Sequence, residues 1–222
     1  SDGSWREPFN PRGSNHRSDD YCEGTAWQWL WFVPHDVAGL VRLMGGEQAF
    51  ETKLDSLFVA DSKIEGEEVS SDISGLIGQY AHGNEPSHHI LHLYNYIGKP
   101  EKTQNLVDKV LKEQYFNGPN GLSGNEDCGQ MSAWYVLNAM GFYQIAPGNP
   151  VYSIGRPLFD KVTINLPEGK TFTIVANGNS GDAKYVKSMK LNGKTLDKPF
   201  FSHADLMAGG TLELDMSATS SN

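Results

Sequence analysis

Three carboxylates stand in two loops that each precede an apolar segment, and these residues are well suited to acid–base chemistry. Glu126 and Asp127 are adjacent in a glycine-rich loop that leads into a periodic apolar segment. Glu23 is the only acid in the stretch 21–33, which holds three of the five tryptophans. A carboxyl group among tryptophans would be partly desolvated, and desolvation raises its pKa toward that of a general acid. The two loops can therefore supply an acid and a base.

Each of these acids also has a structural interpretation. Glu126 and Asp127 can simply cap the helix that follows, because carboxylates are stabilised at the positive end of a helix dipole. Glu23 can face solvent from the start of its own helix. Taken alone, the residues leave both interpretations open.

A second polar cluster occupies residues 82–89. Asn84 and Glu85 offer hard oxygen ligands of the kind that calcium prefers. His88 and His89 suggest zinc less strongly, because no further His or Cys stands at a metal-ligand spacing. For this segment alone, a helix cap with two hydrogen-bonded histidines is the simplest interpretation.

Successive helices are predicted to position these residues. Apolar periodicity and helix-ending residues predict helices at 21–33, 37–44, 47–59, 90–97, 100–115 and 130–140. Beyond residue 142, alternating apolar and polar residues with a turn at Asn192-Gly193 predict an antiparallel sheet with one solvated face. We therefore predict an α+β fold with a region of helical hairpins at 1–141 and an antiparallel β region at 142–222.

Composition narrows the choice of partners. The net charge is −9, whereas nucleic acids and anionic membranes require a basic surface. No run of eighteen apolar residues predicts a membrane span. Cys22 and Cys128 are too few for a disulfide framework and are predicted to be unlinked.

The ordered segments 23–28, 32–36, 82–89, 102–104 and 124–134 resemble the signature blocks of glycoside hydrolase family 92. This resemblance extends over nearly the whole chain from Tyr21. It implies a calcium-dependent, inverting exo-α-mannosidase whose helical hairpins form part of an (α/α)6 toroid. It also implies a periplasmic or secreted location and a mannoside or N-glycan substrate.

The resemblance assigns roles to particular residues. Glu23 matches the general acid and Asp127 the general base, with Glu126 sharing the base role because Asn125 stands where some members have an acid. The implied calcium ligands are Asn84 and Glu85. The implied substrate-binding residues are Trp27, His82, Glu68 and Asn125, although Glu68 by itself belongs to a charged, solvated turn. Packing is favoured for Trp29 and Trp31.

Members of the family are several times longer than this chain, which matches their C-terminal portion only. An N-terminal β-sandwich and the rest of the toroid are therefore expected partners. Two other functions are compatible with the residues. One is a non-catalytic carbohydrate-binding or structural module, which would need no pair of opposed carboxylates. The other is a toroidal glycosidase acting on glucosides, which would need no calcium.

Overall fold

A computed structural model describes residues 7–16 and 18–220 of the chain. Apolar side chains form two cores, one drawn mainly from the helices and one mainly from the strands, and Leu137 packs against both. The predicted division into two regions between residues 141 and 142 stays a prediction. Residues 1–6 of the first predicted region and residues 221–222 of the second lie outside the described residues. Within the described ranges, every helix is too short or too polar to cross a bilayer.

Helices dominate the first part of the chain. The α-helices among the described residues are α1 (Ala26–Trp29), α2 (Val37–Leu43), α3 (Glu47–Val59), α4 (Pro100–Glu113), α5 (Gln130–Met140) and α6 (His203–Ala208). The observed bounds of α3 and α5 confirm the prediction. Glycines lie at these bounds, since Gly46 precedes α3 and Gly141 ends α5 with a left-handed backbone (φ 104°). The predicted helix at 21–33 is wrong in length. Val33 precedes a proline and leaves the helical region.

A buried 3₁₀ helix, Ile90–Ile97, lies at the centre of the helical part. The sequence predicts a helix here, and seven of its eight residues are buried. The hydroxyl of Thr103 in α4 donates a hydrogen bond to the Leu91 carbonyl at 2.8 Å, which fixes α4 against it. Three further 3₁₀ turns occur among the described residues, at Pro34–Asp36, Glu85–Ser87 and Pro167–Gly169.

The strands form three sheets among the described residues. They are β1 (Leu76–Ile77), β2 (Tyr80–Ala81), β3 (Phe142–Tyr143), β4 (Val151–Ile154), β5 (Lys161–Asn165), β6 (Thr171–Asn177), β7 (Tyr185–Leu191), β8 (Lys194–Thr195), β9 (Phe200–Ser202) and β10 (Gly210–Ser217). Strands β1 and β2 pair alone, the second sheet has the order β3-β4-β9, and the third has the order β5-β6-β10-β7-β8. The hairpin predicted at Asn192-Gly193 joins β7 to β8.

The prediction of a purely antiparallel sheet is wrong for the five-stranded sheet. Strand β10 lies between β6 and β7, antiparallel to β7 but parallel to β6. The residue alternation in β10 shows which side chains face the core, but it carries no information on strand direction. The parallel neighbour arises because the chain returns to β6 through β7, β8, β9 and α6.

The two parts of the molecule are joined by buried polar contacts. Arg156, which follows β4, pairs with Asp108 of α4 at 3.0 Å between Nε and Oδ1, and both side chains are almost fully buried. The side-chain carbonyl of Gln104 accepts a hydrogen bond from the Val186 backbone N–H at 3.1 Å. These contacts place α4 directly on the β region.

Two fully enclosed histidines extend this polar network. His89 donates from Nε2 to the Trp31 carbonyl at 2.7 Å, and His92 donates from Nε2 to Asn138 Oδ1 at 2.9 Å. Burial lowers the pKa of each histidine to about 4. Both are therefore neutral hydrogen-bonding groups in the folded protein at neutral pH.

We predict that the free energy of unfolding falls as the pH drops from about 6.5 to about 4. The unfolded chain takes up protons at these histidines in that range while the folded chain does not, which costs about 1.4 kcal/mol per pH unit for each histidine. Urea denaturation across this range measures the slope. His92→Gln should reduce the slope by about one proton, while His35→Gln, at an exposed position, should leave it unchanged. An unaltered slope in His92→Gln would contradict the prediction.

Candidate active site

The loop that carries Glu23 is held in place by side chains from outside the loop. Glu23 has a left-handed backbone (φ 51°), which non-glycine residues rarely adopt. The Asn84 side-chain amide donates a 2.6 Å hydrogen bond to the Glu23 carbonyl, and the Trp29 indole donates one of 2.9 Å to the Cys22 carbonyl. Gly24 leaves room for this indole, since a Cβ there would lie 2.7 Å from Trp29 Nε1. Glu23 is therefore carried on a fixed backbone.

The side chain of Glu23 is exposed, so the solvent-facing alternative is the one that the structure shows. The residue lines a cleft of about 570 Å³, whose other walls are His16, Asp19, Asp20, Tyr21 and Cys22. The tryptophans that were expected to enclose the carboxyl group leave it exposed, because Trp31 is fully buried in the core and the Trp29 indole contacts the loop backbone at Cys22 and Gly24. Glu23 keeps the access that proton exchange with a ligand requires.

The loop that carries Asp127 turns sharply just before α5. Asp127, Cys128 and Gly129 all have left-handed backbones, with φ values of 50°, 58° and 96°. The N–H of Gln130, the first residue of α5, donates to the Asp127 carbonyl at 3.2 Å. The turn leaves the side chain of Asp127 exposed at the end of the helix.

Glu126 caps α5. Its two carboxylate oxygens accept hydrogen bonds of 2.9 Å from the N–H and from the hydroxyl group of Ser132. The capping role proposed as an alternative is therefore confirmed for Glu126. Its participation in catalysis stays a prediction, since both of its oxygens already have partners within the helix.

Glycines bring the Asp127 loop onto the second polar cluster. A Cβ on Gly83 would lie 2.9 Å from the Ser123 carbonyl oxygen, and one on Gly124 would lie 3.2 Å from the Gly83 carbonyl oxygen. The backbones of the two segments thus touch directly, which only glycine allows at this spacing.

Residues 84–88, here called the bridging segment, connect the two carboxylate loops. At its start, Asn84 bonds the Glu23 carbonyl, as described above. At its end, His88 Nδ1 accepts a 3.1 Å hydrogen bond from the side-chain amide of Gln130. His88 Nε2 must carry its proton because it contacts the His82 carbonyl at 3.0 Å. One short segment therefore fixes both loops.

Glu85 brings a third carboxyl group close to Asp127. Burial raises the pKa of Glu85, and the neighbouring carboxyl groups of Asp127 and Asp72 raise it further, against the opposing effect of its own backbone N–H. Asp72 also accepts a long hydrogen bond of 3.4 Å from the Asn125 side chain. The bridging segment thus carries negative charge that lacks full compensation.

His82 does not reach the surface. It is fully buried, and burial lowers its pKa. Its Nδ1 and Nε2 contact the hydroxyl groups of Tyr80 at 2.8 Å and Tyr115 at 2.7 Å. The Tyr115 hydroxyl donates to the Met131 carbonyl at 3.1 Å, so His82 donates from Nε2 and accepts at Nδ1. The predicted contact with substrate does not fit this placement, because both ring nitrogens are occupied inside the protein.

The donor chemistry near Glu85 fits calcium only in part. Carboxylate and amide oxygens suit calcium, and a cation would relieve the repulsion that raises the pKa of Glu85. However, no three His, Cys, Asp or Glu side chains in residues 7–16 and 18–220 stand close enough to hold a metal together. Asn84 and Glu85 thus fit calcium by donor type alone, and the zinc alternative gains no support from His88 and His89, which are buried and hydrogen-bonded to backbone carbonyls.

The other predicted substrate-binding residues are scattered. Trp27 is half-buried, with the Lys53 ammonium 4.1 Å from its ring centre. Glu68 is exposed, and its carbonyl accepts a hydrogen bond from His16 N–H at 2.7 Å, beside the Glu23 cleft. Asn125 is exposed in the Asp127 loop. Asn125 and Glu68 therefore border the carboxylate loops, whereas Trp27 lies in an aromatic cleft that shares Tyr21 with the Glu23 cleft.

Several residues that organise the site escaped the sequence analysis. Gln130 starts α5 and also bonds the Tyr143 hydroxyl at 3.2 Å. Asp72 accepts a hydrogen bond from Asn125, and Tyr115, just after α4, bonds His82. A position three residues after Asp127 was a usable signal for Gln130, because helix-start residues often bond neighbouring loops. No local pattern marks Asp72.

The chain belongs to glycoside hydrolase family 92. The profile described as "Glycosyl hydrolase family 92 catalytic domain" matches residues 1–218. This match confirms the resemblance that the motif order suggested.

Particular relatives share this fold. The chain is 38% identical to the family GH92 alpha-mannosidase BT3965 from Bacteroides thetaiotaomicron, whose structure is in complex with mannoimidazole. The TM-score is 0.92, and the match covers 100% of this chain and 30% of that one. It is 40% identical to the inverting mannosidase BT2199 from the same species, with a TM-score of 0.83, covering 98% of this chain and 30% of that one.

A fungal relative is also similar. An uncharacterized secreted glycosidase of Arthroderma benhamiae is 32% identical over 202 residues, which is 90% of this chain and 24% of that protein. The chain therefore spans about a quarter to a third of the length of these relatives.

We predict that Glu126→Ala lowers the free energy of unfolding by about 1 kcal/mol, because α5 loses a side-chain cap. Ser132→Ala should lower it by less, since the Ser132 backbone N–H still reaches Glu126. Chemical denaturation of both single variants and the double variant measures the coupling. The two losses should be strongly non-additive, and simple additivity would contradict the capping role.

Proposed function

We propose that this chain is part of an exo-acting α-mannosidase that removes terminal α-linked mannose with inversion at the anomeric carbon. One observation carries the proposal: two loops each present an exposed carboxylate on a left-handed backbone, and the bridging segment is hydrogen-bonded to the Glu23 loop at one end and to Gln130, which starts α5 directly after the Asp127 loop, at the other. Membership of family 92 and the likeness to two mannosidases support the substrate class.

The two carboxylates take different roles in this proposal. Glu23 protonates the glycosidic oxygen as the bond to the leaving sugar breaks. Asp127 accepts a proton from the water that attacks C1 from the opposite face, which inverts the configuration. Inverting glycosidases hold two such carboxyl groups roughly 6.5–9.5 Å apart, leaving room for that water. Glu126 acts indirectly, by holding the Asp127 loop on α5.

Calcium is the proposed cofactor, with Asn84 and Glu85 as this chain's contribution to its site. When bound, the ion would contact the 2- and 3-hydroxyl groups of the sugar and favour a distorted ring. The carboxyl groups of Asp127 and Asp72 interact electrostatically with Glu85, and their negative charge would attract a divalent cation, although no three such side chains of the described residues stand close enough to ligate it together. The remaining ligands would be backbone carbonyls, water or residues beyond this chain.

The complete catalytic unit is proposed to be longer than this chain. The chain covers about 30% of the mannosidases BT3965 and BT2199. We therefore propose that the rest of the substrate pocket, including an N-terminal β-sandwich domain, comes from outside residues 1–222. The likeness to a secreted glycosidase supports a secreted enzyme, and the proposal extends to a periplasmic location and to mannosides or N-glycans as substrates.

A non-catalytic carbohydrate-binding module is the second candidate. A cleft of about 470 Å³ lined by Tyr21, Trp27 and Trp29 favours it, because aromatic faces are suited to stacking on sugar rings. Such a module would bind mannosides through these rings and would not depend on Glu23 for turnover.

We predict that Glu23→Gln and Asp127→Asn each lower kcat on a mannobiose by about 10²–10⁴-fold in the complete enzyme, because each removes a proton-transfer step. Mannose binding should be nearly unchanged, and Glu113→Gln, at an exposed position of α4, should be fully active. Steady-state kinetics with release of free mannose measures these effects. Unchanged turnover in Glu23→Gln would remove the acid assignment and favour the binding-module alternative.

We predict that EDTA abolishes mannoside hydrolysis by the complete enzyme and that calcium restores it while zinc does not. Glu85→Gln should raise the calcium concentration needed for half-maximal activity, since it removes a charged ligand. Activity measured against free calcium tests this. Strong turnover in the presence of EDTA would contradict the cofactor proposal.

A further inference from the structure

The side chain of Asn84 has an unusual task for its position in the chain. Asn84 starts the 3₁₀ turn Glu85–Ser87, where an asparagine commonly caps its own turn, but its side chain makes no capping hydrogen bond. Its amide instead donates across 61 residues to the Glu23 carbonyl at 2.6 Å, and the residue is 7% exposed. A buried amide directed away from its own turn onto a distant carbonyl has a role in the placement of that distant residue.

The Glu23 backbone needs such a partner. A left-handed conformation at a non-glycine residue persists only where the surroundings hold it. The neighbouring hydrogen bonds hold other parts of the loop. The Trp29 indole bonds the Cys22 carbonyl, and the Gln28 side chain accepts a hydrogen bond from the Thr25 N–H at 2.5 Å. The Glu23 carbonyl itself therefore depends on Asn84. Among the hydrogen bonds of the described residues, the bond from Asn84 is the one that is made to Glu23 itself.

We propose that Asn84 is a positioning residue that aims the Glu23 carboxyl at the leaving oxygen, an inference that rests on the proposed function. The hydrogen bond sets the orientation of the Glu23 peptide plane and hence the direction in which its side chain leaves the backbone. Because the same segment is hydrogen-bonded through His88 to Gln130, which starts α5 directly after the Asp127 loop, Asn84 also sets the position of the acid relative to the base. The amide N–H₂ does this work, and the side-chain oxygen stays free for other contacts.

This role differs from that of a calcium ligand in a way that one substitution separates. Asn84→Asp keeps an oxygen ligand and nearly the same shape, but it removes the N–H donor and places a carboxylate against the Glu23 carbonyl. A metal-binding role would survive this change, whereas a positioning role would not.

The test compares two substrates in the complete enzyme. A mannobiose has a sugar alkoxide as its leaving group and depends on the general acid, whereas 2,4-dinitrophenyl α-mannoside has a leaving group that departs without protonation. We expect Asn84→Asp to lower kcat on mannobiose about tenfold to hundredfold, the range for a lost hydrogen bond to an essential group. Turnover of the dinitrophenyl substrate should fall by less than about threefold, which also shows that the variant is folded.

Two further arms complete the design. In a Glu23→Gln background, Asn84→Asp should cause no additional loss on mannobiose, because residues that act as a unit are non-additive. Asn149→Asp, which makes the same charge change at an exposed position between β3 and β4, should behave as wild type. Saturating calcium should not restore the turnover of mannobiose by Asn84→Asp.

Specific outcomes would overturn the inference. Equal losses on both substrates, full recovery with added calcium, or additive losses with Glu23→Gln would each show that Asn84 does not act through the acid. If Glu23→Gln itself keeps full activity on mannobiose, the proposed function fails. If Glu23→Gln is inactive while Asn84→Asp is normal, only the positioning role fails.

Discussion

The candidate site depends on hydrogen bonds that a single short segment makes to two distant parts of the chain. Residues 84–88 bond the Glu23 loop through Asn84 and, through His88, bond Gln130, which starts α5 directly after the Asp127 loop. Each loop has a left-handed backbone at its carboxylate, a conformation that needs external support. Without the segment between them, two acids 104 positions apart in the chain would have no fixed relation.

The segment is held in place because its surroundings are largely buried and its Asn84 and His88 side chains are hydrogen-bonded, although Ser87 Oγ has no hydrogen-bond partner. His82 is fixed between two tyrosine hydroxyl groups, and His88 is held by the His82 carbonyl. Such networks specify one arrangement, since any alternative would leave buried donors unpaired. Glycines at 83 and 124 complete the arrangement by letting two backbones touch. The same residues that make the helical core stable therefore set the geometry of the candidate site.

The parts of the fold that obey local rules could be predicted from the sequence. Helices α3 and α5 were bounded correctly because apolar periodicity and flanking glycines act within a few residues. The parallel pairing of β10 with β6 could not be predicted, because alternation does not encode strand direction. At the site, family resemblance pointed to Glu23, Asp127 and Glu85, but exposure of Glu23, burial of His82 and the involvement of Asp72 depend on contacts between distant segments. These contacts leave no periodic or local signal.

The most direct test of this account is a crystal structure of the complete enzyme with a mannose-like inhibitor, in which the separation of the Glu23 and Asp127 carboxyl groups is measured. The account predicts that the two groups lie on opposite sides of the anomeric carbon, roughly 6.5–9.5 Å apart, with Asn84 bonded to the Glu23 carbonyl. Carboxyl groups that face different surfaces, with no inhibitor between them, would contradict it.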